Sequence, residues 1–254
     1  VSERSRDKNE LIVNYMFLRQ TVGWIGTLLP IVLLAGAAFT SNARPDSMSG
    51  YYYTDMRNIF VGTLCALGVF LVAYRGYDGV DESITNVAGF AAIGVALFPT
   101  KPTVCTAGPG ACPASSVTRL STHQQVVGDI HLVLAAITLI ALGLMALRFA
   151  KQNRQRFAAE NLIYRASGMT VLCCVVLAAL SNLLPSSVKG HWPWLFIFEA
   201  LAVFVFGVSW FVKGRTIQGI RTRIQAWHGG TDNTSDPGTG TSPVNEPTEQ
   251  ATTV

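Results

Sequence analysis

Ionisable side chains gather at three places that border long apolar runs. Asp55, Arg57 and Asn58 stand in "YYYTDMRN", directly before "IFVGTLCALGVFLVAY". His123, Asp129 and His131 stand in "HQQVVGDIH", and His191 and Glu199 flank "HWPWLFIFE". An imidazole and a carboxyl group within reach of one another can pass a proton, so His131 and Glu199 are the candidate acid/base pair. A guanidinium forks onto phosphate or carboxylate, so Arg57 is the candidate headgroup clamp. Glu199 lies deepest, seven residues past Trp192 and about 10 Å down a helix. A charge at that depth costs about 2.5–3.5 kcal/mol on insertion scales, so it should face inward and meet a partner. Asp55, Arg57, Asn58, Asp129, His131 and Glu199 are therefore the candidate binding set, with no catalytic role assigned.

Each of these residues also has a plainer reading. Tyr51, Tyr52, Tyr53, Trp192 and Trp194 suit an interfacial aromatic belt. Asp129 suits a helix N-terminus through the dipole. His123 and His191 suit solvated loops, and His131 with Glu199 suits a structural hydrogen bond between helices. No two histidines stand at i, i+4, and no cofactor fingerprint is present, so neither a metal nor a cofactor is expected.

The elements that would carry these residues follow from composition. The chain has 254 residues, 50% of them apolar and only 13% charged. Soluble domains carry about 25% charged residues. Apolar runs near 20 residues match a hydrocarbon core about 30 Å thick, and in lipid such runs must be helical. The expectation is an all-α integral membrane protein, a six-transmembrane-helix bundle with spans near 21–40, 57–75, 84–100, 127–148, 166–184 and 192–212. The third run, rich in Gly and Ala, is the weakest; small residues there suit a buried span. The first run exceeds the usual 7–15 residues of a signal core, so it is read as a retained span.

Segments 1–20, 21–213, 214–227 and 228–254 read respectively as an interfacial lead-in, the bundle, a juxtamembrane amphipathic helix and a disordered cytoplasmic tail. Lys and Arg set the orientation: 14 of 19 fall on one side, which places both termini inside an inner or plasma membrane. The net charge of +4 is thus a topology signal, not a nucleic-acid footprint. Cys105 and Cys112, in "CTAGPGAC" of the longest outer loop, are expected to form a disulfide, since a Gly-Pro-Gly turn brings them together in an oxidising compartment.

The segments "YYYTDMRNIFVGTLCALGVFLVAYRGY", "NVAGFAAIGVALFPT", "IHLVLAAITLIAL" and "FEALAVFVFGVSWFVKG" resemble those of uncharacterised bacterial six-span integral membrane proteins. More distantly they are similar to the damage-regulated autophagy modulator and Sfk-like membrane protein family. The resemblance covers about 50–213 and implies a six-helix bundle with some link to membrane lipids; it carries over no mechanism. Three function classes stay open. One is binding or processing of a lipid or small amphiphile in an outward-facing polar pocket. Another is a scaffold or accessory subunit with a membrane-protein partner. The third is a small transporter, disfavoured because no inverted repeat is visible.

Overall fold

A computed structural model of the chain describes residues 3–39, 45–76, 78–104, 116–152, 158–183 and 193–214. Among these residues are six long helices: α1 (Glu3–Phe39), α2 (Arg57–Ala73), α3 (Gly79–Leu97), α4 (Thr122–Gln152), α5 (Ala158–Leu183) and α6 (Trp194–Lys213). A 3₁₀ turn, Ser49–Tyr53, precedes α2. Among the described residues the only β pairing is an isolated bridge, Val104 with Val117.

Local chemistry sets the helix ends. Asp78 begins α3 by accepting the Asp81 amide at 2.9 Å, and Asp81 and Glu82 sit in the first turn, where the helix dipole favours acids. Pro99 follows Phe98 and pushes it into extended backbone (φ −97°, ψ 110°), so α3 stops at Leu97. The lead-in and the first apolar run are one continuous helix, α1, rather than two elements.

Among the described residues, five helices are long and apolar enough to cross a membrane: α1 over Phe17–Phe39, α3, α4 over Thr122–Lys151, α5 over Ala159–Ser181, and α6. The short one is α2, apolar but only 17 residues, and not the third run, which reaches 19. The sequence estimate for α3 began at the first apolar stretch and missed the polar turn that starts it. The described chain is thus an all-α bundle of membrane-spanning character. The pair Cys105 and Cys112, His191, the juxtamembrane segment and the tail lie outside the described residues. Among the described residues no disulfide forms; Cys65, Cys173 and Cys174 are free thiols.

Packing follows chain order and then closes. α2 lies on α3, α3 on α4, α4 on α5, α5 on α6, and α6 returns to α1. Three of these pairs cross at facing glycines. A Cβ on Gly207 (α6) would stand 2.5 Å from Thr27 Oγ1 and 2.6 Å from Thr27 N of α1. A Cβ on Gly89 (α3) would stand 2.6 Å from the Gly68 carbonyl of α2, and one on Gly168 (α5) 2.9 Å from the Gly143 carbonyl of α4. Lipid chains are as apolar as leucine, so helices in a bilayer associate through close backbone approach rather than through the hydrophobic effect. Glycine is what allows that approach here.

Both ends of the bundle are filled. At one end the segment 45–56 folds inward as a plug, with Met48, Tyr51 and Met56 buried and Tyr51 against Phe196 at 5.9 Å between ring centroids. At the other end Tyr74, Phe149, Tyr164 and Trp210 are wholly buried and meet edge to face.

Candidate functional site: a carboxylate at the head of an apolar cavity

Glu199 sits in the second turn of α6, beneath the plug. Its Oε2 accepts the Met48 amide at 2.7 Å, and the Ser49 amide is a second backbone donor. The neighbouring contact runs the other way: Phe196 N of α6 donates to Asp46 O at 2.8 Å. That bond satisfies one of the amides that the start of a helix leaves without an intrahelical acceptor. The plug and the start of α6 therefore hold one another by reciprocal hydrogen bonds, and Glu199 is the side chain in that exchange.

Glu199 remains partly accessible although it lies deep in the bundle, because it borders a cavity of ≈ 60 Å³. The walls come from α1 (Leu29), the plug (Met48, Ser49), α2 (Phe60, Leu64, Leu67), α3 (Val95), α4 (Ala135, Thr138, Leu139, Leu142) and α6 (Val203). Helix α5 contributes nothing to the lining. Among the described residues no Lys, Arg or His lines it either. Thr138 spends its hydroxyl proton on the Leu134 carbonyl at 2.8 Å within its own helix. A carboxylate has about four lone-pair positions, and two backbone amides use about half of them. The cavity is thus an apolar chamber with spare acceptor capacity at one end.

The other candidate residues go elsewhere. Arg57 is exposed and turns back on its own segment, stacking over the Tyr52 ring at 4.2 Å and donating to Tyr52 Oη at 2.7 Å. Asp55 and Asn58 are also exposed. The plug explains this: 45–56 folds Met48, Tyr51 and Met56 into the bundle and leaves Asp55 outward. Asp129 pairs with Lys101 at 2.6 Å on the exposed surface. His131 is buried, but its Nδ1 lies 2.6 Å from the Phe98 carbonyl, with the Val95 carbonyl a second backbone partner. A carbonyl only accepts, so the proton sits on Nδ1 and the ring ties α4 to the end of α3. His123 is exposed at the start of α4. The expected pocket of Asp55, Arg57, His131 and Glu199 therefore does not assemble: Glu199 reaches the cavity, and its partners are amides rather than Arg57 or His131.

The tyrosines divide as well. Tyr51 is fully buried, whereas Tyr52 and Tyr53 are half-buried, so only the latter two fit an interfacial position. Tyr53 Oη donates to Thr100 O at 2.6 Å and pins the plug to the chain after α3. Burial pushes its hydroxyl pKa up, with Tyr52 adding to the shift and Arg57 opposing it.

Sequence reasoning also passed over a charged cluster at the opposite end. Arg148 of α4 bonds Asp81 of α3 through Nε at 2.7 Å and Asp78 through Nη2. Asp81 is completely buried, and its partner stands 67 positions along the chain. Nearby, Arg19 donates to Tyr74 Oη at 3.2 Å, and Lys213 Nζ lies 4.9 Å from the Phe149 ring centroid. The only sequence signal was the run "DGVDES" in an otherwise basic flank.

Compared with protein families, with curated proteins and with solved structures, the chain matches none.

Proposed function

We propose that this chain is a six-span membrane protein, both termini cytoplasmic, that binds a single-chain amphiphile, with Glu199 holding the headgroup and the cavity holding the start of the tail. The observation that carries the reading is the pairing of one under-used carboxylate with walls that are otherwise apolar. Small-molecule sites are mostly apolar concavities with a few placed polar groups. A carboxylate offers only acceptors, so the matching headgroup is a donor, an amine or a hydroxyl. The cavity volume suits a slim aliphatic stretch. The charge split of 14 to 5 supports the orientation, and it puts the plug and Glu199 on the outer side. The resemblance to lipid-linked six-span families points the same way.

The test is a thermal shift in nanodiscs with dodecylamine, dodecanol and dodecane. A ligand held at about 100 times its Kd stabilises by about 2.7 kcal/mol. The amine should shift the wild type more than the alkane does, and Glu199→Gln should remove the difference. Equal responses to all three probes, or an amine response that survives Glu199→Gln, would defeat the proposal.

A further inference from the structure

The cavity is only partly enclosed, yet among the described residues neither end of the bundle offers a way in. The plug closes one end with Met48, Tyr51 and Met56, all buried. The aromatic cluster of Tyr74, Phe149 and Trp210 closes the other, also buried. Any entry must pass between helices, and the helix pairs differ. The seams α1/α6 and α2/α3 are drawn to backbone contact by glycine, and α3 packs closely along α4. α4 and α6 meet sparsely, but α5 packs against both and covers that seam from behind. α1 and α2 also meet sparsely, and no described helix backs them. Both contribute directly to the cavity wall, α1 through Leu29 and α2 through Phe60, Leu64 and Leu67.

We infer that the α1/α2 seam is a lateral portal, through which a single-chain amphiphile passes from the bilayer into the cavity with its donor headgroup rising to Glu199. The inference rests on the proposed amphiphile site and adds the source of the ligand: the lipid phase rather than the water. The outward sides of both helices favour this route. Leu28, Ile31 and Val32 of α1 and Ile59 and Val69 of α2 are exposed apolar side chains, which an alkyl chain can follow without desolvating anything polar. Arg57, at the start of α2, is exposed and stacked on Tyr52, so it stands at the surface and does not line the cavity. Among the described residues a headgroup amine therefore meets no competing cation in the cavity wall.

The test locks the seam. In full-length protein with all five native cysteines replaced by alanine, cysteine pairs are scanned between residues 24–33 of α1 and 59–67 of α2. Pairs that cross-link on oxidation are kept. A control pair, Asp46→Cys with Phe196→Cys, locks the plug instead, where Phe196 N already lies 2.8 Å from Asp46 O. The readout is the uptake rate of a fluorescent dodecylamine preloaded into phosphatidylcholine vesicles. Oxidising the seam should slow uptake about ten-fold or more, reversibly on reduction, because association rates respond to the gating of access. Locking the plug should leave the rate unchanged. Binding with an unchanged rate in every seam-locked pair would overturn the portal while leaving the site intact. Slowing confined to the plug-locked pair would overturn it in favour of entry from water. If the unlocked protein takes up no amine at all, the site and the portal fall together.

Discussion

The two ends of the bundle handle buried acid in opposite ways. At the arginine end, Asp81 is completely buried and meets a full opposite charge, Arg148, which Asp78 also holds. At the plug end, Glu199 meets two backbone amides and a cavity. A buried ion pair of good geometry completes its own requirements and leaves no space beside it. A carboxylate held only by amides keeps acceptor positions in reserve, and the cavity gives them somewhere to point. The first arrangement locks helices; the second is open to a guest. Burial of an acid alone does not mark a binding site. What marks one is incomplete use of the acid's bonding capacity beside unfilled volume.

This contrast can be broken by substitution. Arg148→Met should have the largest effect, because it removes the guanidinium that bonds the buried Asp81; breaking a buried pair costs about 3–5 kcal/mol. Unfolding in detergent, followed by tryptophan fluorescence, should show a loss of that size, and Asp81→Asn in the same chain should recover part of it. A loss near zero would mean that the arginine end is not the lock. Gly207→Ala should come next. Its methyl would press on the Thr27 backbone at 2.6 Å, and overpacking of this kind costs about 1–3 kcal/mol. Gly62→Ala, where a Cβ meets nothing within 4 Å, is the matched control and should be neutral by the same assay.

Glu199→Gln should change stability less than either, by about 1 kcal/mol or less, since the amide oxygen still accepts from Met48. A loss as large as that of Arg148→Met would make the two ends equivalent and remove the contrast. The smallest expected effect is a pH dependence at Asp78. The Asp81 amide, mainly, holds this carboxyl below its ordinary value of 3.8, with Arg148 helping and desolvation opposing. A depressed carboxyl stabilises the fold above its unfolded value and loses that contribution as pH falls through its lower folded value. Melting temperature should therefore drop slightly more on acidification below about pH 4 in the wild type than in Asp78→Asn.

The helices were largely legible in the sequence because lipid imposes one strong pattern. The run near 57–75 became Arg57–Ala73, and that near 127–148 lies within Thr122–Gln152. Helix ends beyond the apolar stretch were missed because hydropathy falls there while hydrogen bonding continues. Glu199 was also legible, since a lone carboxylate deep in an apolar run demands a partner. Its partners were not, because the amides of Met48 and Ser49 carry no side-chain signature. Arg57 and His131 attracted the assignment as the visible complements to an acid, yet one stacks on Tyr52 and the other bonds a carbonyl. Tyr51 went unrecognised as core because a tyrosine beside Tyr52 and Tyr53 reads the same whether it points in or out.

The glycine crossing between α1 and α6 bears on how the molecule is made. A ribosome delivers α1 first and α6 last among the described helices, so Gly23 and Gly26 must wait through the synthesis of the helices between before Gly207 arrives to cover them. Until then the first helix has no counterpart for its narrowest face, and the plug has neither Glu199 nor the Phe196 amide to dock upon. Closure of the bundle and completion of the cavity are thus one late event, set by the arrival of a single helix. A nascent chain halted after α5 carries most of the apolar walls and none of the acid.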